Sequence, residues 1–203
     1  MKIYLIRHGE TDQNKIKCLQ GRTDIELNAY GKELAHKTAE GLKHIEFEMI
    51  FTSPLKRAKE TAEIIKGERN IPVIVEERIQ EISFGEYEGL CYGKERYSVP
   101  DPDFMNFFQK PECYKTPPGG ESFEEVLART GEFLKELAEN AEYQDKVILL
   151  STHGCALKAL LANAGNTPLA QFWGEGVHKN CAVSLIEMKD GQMEVLEDGR
   201  LYY

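Results

Sequence analysis

Three short apolar runs in this chain break off at a polar cluster and lead toward a helical pattern. That repetition constrains the fold more than any other feature. Ile3-Tyr4-Leu5-Ile6 runs into Arg7-His8-Gly9-Glu10-Thr11, Met49-Ile50-Phe51-Thr52 into Ser53-Pro54, and Val147 to Leu150 into Ser151-Thr152-His153-Gly154. Apolar runs this short read as strands buried on both faces. Between them lie helical stretches. Leu27, Leu34, Thr38, Leu42 and Ile45 fall near helical spacing and predict a helix over 28–43 with Asn28 as N-cap. Ser53 and Pro54 read as the N-cap and first-turn proline of a helix reaching about Lys66, where Gly67 suits its end. Ser122-Phe123-Glu124-Glu125 is a capping-box pattern, and it opens a stripe through Val126, Thr130, Phe133, Leu134 and Leu137. A further helix is expected from about Cys155 to Ala164, and a further strand from Ile71 to Val75. Residues 181–188 and 193–196 read as two strands around the turn Asp190-Gly191.

Strands alternating with helices predict an α/β fold, a three-layer α/β/α sandwich with a mostly parallel central sheet. Residues 1–203 read as one domain. The segment from Glu76 to about Gly120 is the least regular, and its part at about 85–120 reads as an excursion covering one end of the sheet. Phe104, Phe107 and Phe108 predict a short helix there, as core packing or as a pocket lid.

With 34 acidic against 25 basic residues the net charge is −9, which argues against a general nucleic-acid binder. A small anionic ligand stays compatible, because a site can be positive on an acidic protein. The five cysteines are odd in number and no two have metal or redox spacing, so reduced thiols in a cytoplasmic setting are expected. The first apolar run ends at Arg7, too soon for a signal peptide, and no stretch is long enough to predict a membrane span.

In a parallel sheet the three polar clusters share one edge, where ligands of open α/β sheets bind. Arg7, His8, Arg57 and His153 would converge there beside helix N-termini that favour anions. Two arginines suit phosphate, and a neutral imidazole can attack phosphorus. Each piece has a plainer reading alone: a structural histidine, a solvated arginine, turn glycines at Gly9 and Gly154. Their meeting at one edge carries the argument for phosphoryl transfer to a histidine, with built-in cations and no metal or cofactor required. The catalytic acid stays open on this reading, because Glu77, Glu81, Glu86 and Glu88 lie close together.

These residues resemble the histidine phosphatase superfamily, in the branch that includes cofactor-dependent phosphoglycerate mutases. Arg7-His8-Gly9-Glu10-Thr11 is similar to its signature, and Gln20-Gly21-Arg22-Thr23-Asp24 with Leu27 and Gly31 to its next block. Thr52-Ser53-Pro54-Leu55-Lys56-Arg57-Ala58, Glu81-Ile82-Ser83-Phe84-Gly85, Pro118-Gly119-Gly120-Glu121-Ser122 and Ser151-Thr152-His153-Gly154 complete the likeness, which runs from residue 2 to about 185. The resemblance implies that His8 is the nucleophile, that Arg7, Arg57 and His153 hold the phosphoryl group, and that Glu81 is the general acid and base. It also implies substrate contacts from Thr11, Asn14, the Gln20-Gly21 turn and Gly154.

Mutases of this branch are longer and carry a basic insertion after the acid motif. Here residues 90–118 are compact, position 84 is Phe rather than Tyr, and position 22 is Arg rather than Trp. The resemblance therefore implies a metal-independent phosphomonoesterase for a small phosphorylated metabolite. A 2,3-bisphosphoglycerate-dependent mutase is the alternative, and a non-catalytic phospholigand-binding module the second. Lys94, Arg96, Lys110 and Lys115 are the cations of the excursion that would meet a second anionic group, if not simply solvated. The resemblance leaves a homodimer open, since some relatives pair through a sheet edge.

Overall fold

Successive side chains of β1 (Lys2–Arg7) point to opposite faces, and both faces are apolar: Ile3 and Leu5 face one way, Tyr4 and Ile6 the other, all four buried. A strand apolar on both sides needs helices on both sides. In the computed structural model, which describes residues 1–189 and 191–203, the chain supplies them. After β1 come α1 (Asp12–Ile16), α2 (Ala29–Gly41), β2 (Met49–Thr52), α3 (Lys56–Lys66), β3 (Val73–Val75), α4 (Asn106–Gln109), α5 (Phe123–Glu139), β4 (Val147–Thr152), α6 (Gly154–Gly165), β5 (Val183–Lys189) and β6 (Gln192–Arg200). The six strands form one sheet in the order β3-β2-β4-β1-β5-β6. β3, β2, β4 and β1 run parallel, whereas β5 is antiparallel to β1 and β6 to β5.

On one face, Phe133 and Leu137 of α5 and Leu157 and Leu160 of α6 pack on Ile3, Leu5, Ile148 and Leu150. On the other, Leu34 of α2 and Ala62 and Ile65 of α3 pack on Tyr4, Ile6, Ile50 and Leu149. The mixed α/β class and the mostly parallel sheet are as expected. A third apolar cluster, rich in rings, joins Phe84, Phe104, Phe107, Phe123 and Trp173 over one end of the sheet.

Register sets the site. Arg7 pairs with Thr152, and Thr52 with Ser151, so β1, β2 and β4 end level. His8, Ser53 and His153 are therefore the first residues beyond three neighbouring strand ends.

Several expectations need correction. Ser53 is not the cap of α3: the helix starts at Lys56 behind Leu55, which makes no side-chain cap, and the Ser53 hydroxyl turns inward to His153. α1 has only five residues, too few to show a period, and is built by a capping box between Thr11 and Asn14. β6 runs on to Arg200, past the expected end at 196, because an exposed edge strand needs few apolar residues. Asp190, placed by sequence in the hairpin turn, lies outside the described residues. Reduced thiols throughout were also expected, yet Cys18 and Cys91 are disulfide-bonded. Lys17 to Leu19 pairs antiparallel with Leu90 to Tyr92 through Leu19 N–H to Leu90 O (2.8 Å) and Tyr92 N–H to Lys17 O (2.9 Å), which sets the two cysteines opposite each other. A separation of 73 residues leaves no local signature of such a pair. Among the described residues no helix is long and apolar enough to cross a membrane.

Candidate active site

The buried His8 ring has a defined tautomer. Its Nδ1 lies 2.7 Å from the Gly9 carbonyl oxygen, which can only accept, so Nδ1 carries the proton and Nε2 keeps a free lone pair. Burial, then the charges of Arg57 and Arg7, push its pKa well below the ordinary histidine value. The ring is therefore neutral at pH 7.

His153 has the opposite tautomer. Arg57 Nε–H donates to its Nδ1 at 3.2 Å, so the proton sits on Nε2, which donates to Ser53 Oγ at 2.7 Å. Burial, then Arg57, hold this ring neutral as well. The two ring centres are 5.1 Å apart.

Arg57 comes from the first turn of α3 and is fully buried. Its Nη1 donates to Thr23 O at 2.8 Å and its Nη2 to Gly21 O at 2.7 Å, so the turn foreseen as a phosphate contact acts here through a carbonyl that orients the guanidinium. A guanidinium has five N–H groups, and protein acceptors take three. Burial lowers its pKa to about 10, and it stays charged at neutral pH. Arg7 Nη1 donates to the His178 carbonyl, while its buried Nε has no partner among the described residues. Such an N–H costs free energy until an acceptor meets it.

Glu81 sits at the N-terminus of α6. Its Oε1 accepts from Cys155 N and Ala156 N, both at 3.1 Å, and from Ile82 N at 3.0 Å. A side chain at Gly154 would press into this corner, because a Cβ there would lie 3.2 Å from Val177 Cγ1 and 3.6 Å from Glu81 Oε2.

These groups open on a cavity of about 270 Å³. Arg7, His8, Arg57, Glu81, Gly154, Asn14, Gln20 and Gly21 all line it. Thr11 does not reach it: the residue is buried, and its Oγ1 donates to Gln20 Oε1 at 2.9 Å and accepts from Asn14 N–H at 3.2 Å. His153 lies behind Arg57 and does not line the cavity either. Rings line the same cavity: Phe84, Tyr92, Phe107, Phe108 and Trp173. Of the expected excursion cations, Lys94, Arg96, Lys110 and Lys115 do not line it, whereas Lys17 does.

Sequence reasoning missed Asn180, whose Nδ2 donates to His8 O at 3.0 Å, and it missed Tyr92, Trp173 and Val177. The sole tryptophan was a visible signal; the others had none, since they sit in loops without periodicity.

Known proteins bear on this geometry. A family model described as histidine phosphatase superfamily (branch 1) matches residues 3–198. The chain is 36% identical over 170 residues to a protein named uncharacterized phosphatase PhoE of Bacillus subtilis, which covers 83% of this chain and 80% of that protein. It is 29% identical to phosphoserine phosphatase 1 of Hydrogenobacter thermophilus, over 97% of this chain and 91% of that one. The solved structure of Bacillus stearothermophilus YhfR superposes with a TM-score of 0.90 at 34% identity, covering 98% of this chain and 97% of that chain.

Proposed function

The chain belongs to branch 1 of the histidine phosphatase superfamily and is a phosphoric monoester hydrolase, and from that premise we propose that it works without a metal, through a phosphohistidine at His8. The observation that carries this reading is the state of His8: neutral, with a bare Nε2, beside the buried Arg57 and the half-buried Arg7, both of which have N–H groups to spare. Arg7 and Arg57 take the equatorial oxygens of the phosphoryl group, where charge gathers in the transition state, and His153, through its Nδ1, holds the Arg57 guanidinium in line for that task. Glu81 donates a proton to the leaving oxygen. It then takes one from the water that opens the phosphoenzyme. Two backbone N–H groups of α6 hold the carboxylate for both steps.

Asn14 and Gln20 face the substrate with their amide NH2 groups, because their oxygens are held by Thr11 and Asn180. The rest of the substrate is a small group that rests on the rings of Tyr92, Phe108 and Trp173. Phosphoserine, α-ribazole phosphate and glucosyl-3-phosphoglycerate, acted on by named relatives, mark the range of sizes. A mutase needs several cations for a second acidic group, and beyond Arg7 and Arg57 this cavity is lined by Lys17 alone among cations, beside its rings.

The test is phosphate release from a panel of phosphomonoesters, including p-nitrophenyl phosphate and phosphoserine, in excess chelator. Hydrolysis is expected with the wild type, and His8→Ala is expected to lose at least about a thousandfold in kcat. Activity that needs added metal, or that survives His8→Ala, would contradict the reading. Interconversion of phosphoglycerates faster than their hydrolysis would move the assignment to a mutase.

A further inference from the structure

Arg7 is held from behind by a carbonyl, and that carbonyl belongs to a residue with a buried side chain that the mechanism does not use. The backbone oxygen of His178 accepts from Arg7 Nη1. The His178 side chain is only 9% exposed, and its Nε2 lies 2.5 Å from Asp198 Oδ1, without the alignment of a regular hydrogen bond. Asp198 Oδ2 accepts from Lys158 Nζ at 3.2 Å. Lys158 is itself buried, one turn along α6 from Gly154. A buried ammonium needs a counter-charge, and Asp198 supplies it. The His178 contact, aided by Lys158 and opposed by partial burial, holds the Asp198 carboxyl down at about 2.

The edge strand is shaped to deliver this carboxylate. Between the pairs Val183–Arg200 and Leu185–Glu197, β6 has one residue more than β5, so Asp198 and Gly199 together face Ser184. Such a bulge redirects a side chain out of the strand's regular alternation. Gly199 has φ +77°, and a Cβ there would stand 2.9 Å from the His178 ring. Ser184 Oγ accepts from Gly199 N at 3.0 Å and lies 3.3 Å from Asp198 Oδ1, tying the bulge to β5.

We propose that His178, Asp198 and Lys158 are positioning residues for the phosphoryl clamp: together they pin the loop at 177–180, so that the His178 carbonyl sets the direction of Arg7 and the same loop presents Val177 and Asn180 to the cavity. This rests on the phosphatase reading for its activity readout, but not for its binding readout.

The test uses the full chain, with orthovanadate as the probe. Asp198→Asn is expected to raise the vanadate inhibition constant and lower kcat/KM together, each by about tenfold. A merely structural loss would reduce the active fraction, lowering apparent kcat while leaving KM and the vanadate constant in place. In an Arg7→Ala background Asp198→Asn is expected to add less than about twofold, because the two act on one contact. If Asp198→Asn leaves Lys158 so uncompensated that the chain fails to fold, the double variant Asp198→Asn/Lys158→Met removes both charges and is read the same way. Wild-type constants in a folded Asp198→Asn would overturn this inference and leave the phosphatase reading standing. A wild type that binds vanadate without turnover would overturn the phosphatase reading, while the vanadate comparison still decides the role of Asp198. Full additivity with Arg7→Ala would also overturn it.

Discussion

Arg57 shows how much of this site depends on one side chain. Three of its N–H groups hold His153 and the carbonyls of Gly21 and Thr23, so the tautomer of His153 and the course of the 20–24 loop both follow from it. Arg57→Lys keeps the charge but loses the planar fork and leaves the buried Gly21 carbonyl unpaired, at about 1–3 kcal/mol. A fall in kcat/KM of about a hundredfold is expected for p-nitrophenyl phosphate, and a variant within threefold of wild type would contradict this account of the residue. In the cavity lining, Trp173 packs on Phe107, Phe108 and Phe172 and donates Nε1–H to the Phe107 carbonyl. Trp173→Ala is expected to raise KM for an aryl phosphate by about tenfold, with a smaller change in the inhibition constant of inorganic phosphate. Equal changes in both would remove the ring from substrate contact.

Residues at strand ends were legible in the sequence because an apolar run announces where it stops: Arg7, His8, Arg57 and His153 all follow from that. Glu81 was not, and only the family resemblance chose it. The structure shows why its neighbours differ. Glu88 is occupied by Arg22 N (2.9 Å), Thr23 Oγ1 (2.7 Å) and Phe84 N (3.2 Å), tying two loops together. Glu81 instead meets the start of α6, a contact between residues 74 apart that no local pattern contains.

Among the elements, those with a strong period were read well. α2, α3, α5 and α6 stand within about two residues of their expected bounds, because each buries a stripe against the sheet. What escaped notice was short or non-local: α1, the bulged end of β6, and the Cys18–Cys91 bond that joins the polar 17–20 segment to the excursion. That bond has a direct check. Thiol titration of the denatured, unreduced chain is expected to find three reactive cysteines, rising to five after reduction. Closing a loop of this span restrains the unfolded chain by about 4 kcal/mol in the chain-entropy model, so reduction is expected to lower Tm by roughly 10 °C. Five free thiols before reduction, or an unchanged Tm, would contradict the bond.

At the scale of the molecule, charge is unevenly shared. The chain carries −9 overall, yet its cavity gathers Arg7, Arg57, Lys17 and the N-terminus of α6 against two carboxylates, Glu10 and Glu81. The burial of its two histidines also makes this site acid-sensitive. His8 and His153 have folded-state pKa values well below 6.5, so the unfolded chain binds their protons first as pH falls. Stability from these two groups is therefore full above about pH 6.5. Below it, the loss reaches about 1.4 kcal/mol per pH unit for each ring. Tm is expected to fall between pH 7 and pH 5, and His153→Gln should flatten that slope; an equal slope in the variant would contradict the burial of a neutral ring. Activity follows a different curve, since His8 stays unprotonated in the folded chain. An acid limb of kcat/KM near 6.5 would contradict the depressed pKa.

The phosphohistidine is the central claim, and rapid acid-free quenching during turnover reads it directly. Digestion and mass analysis are expected to find one phosphoryl group on His8, stable in base, lost in acid, and absent from His8→Ala. Steady hydrolysis with no phosphoryl group on His8 at any time point, or one carried by another residue, would contradict the account.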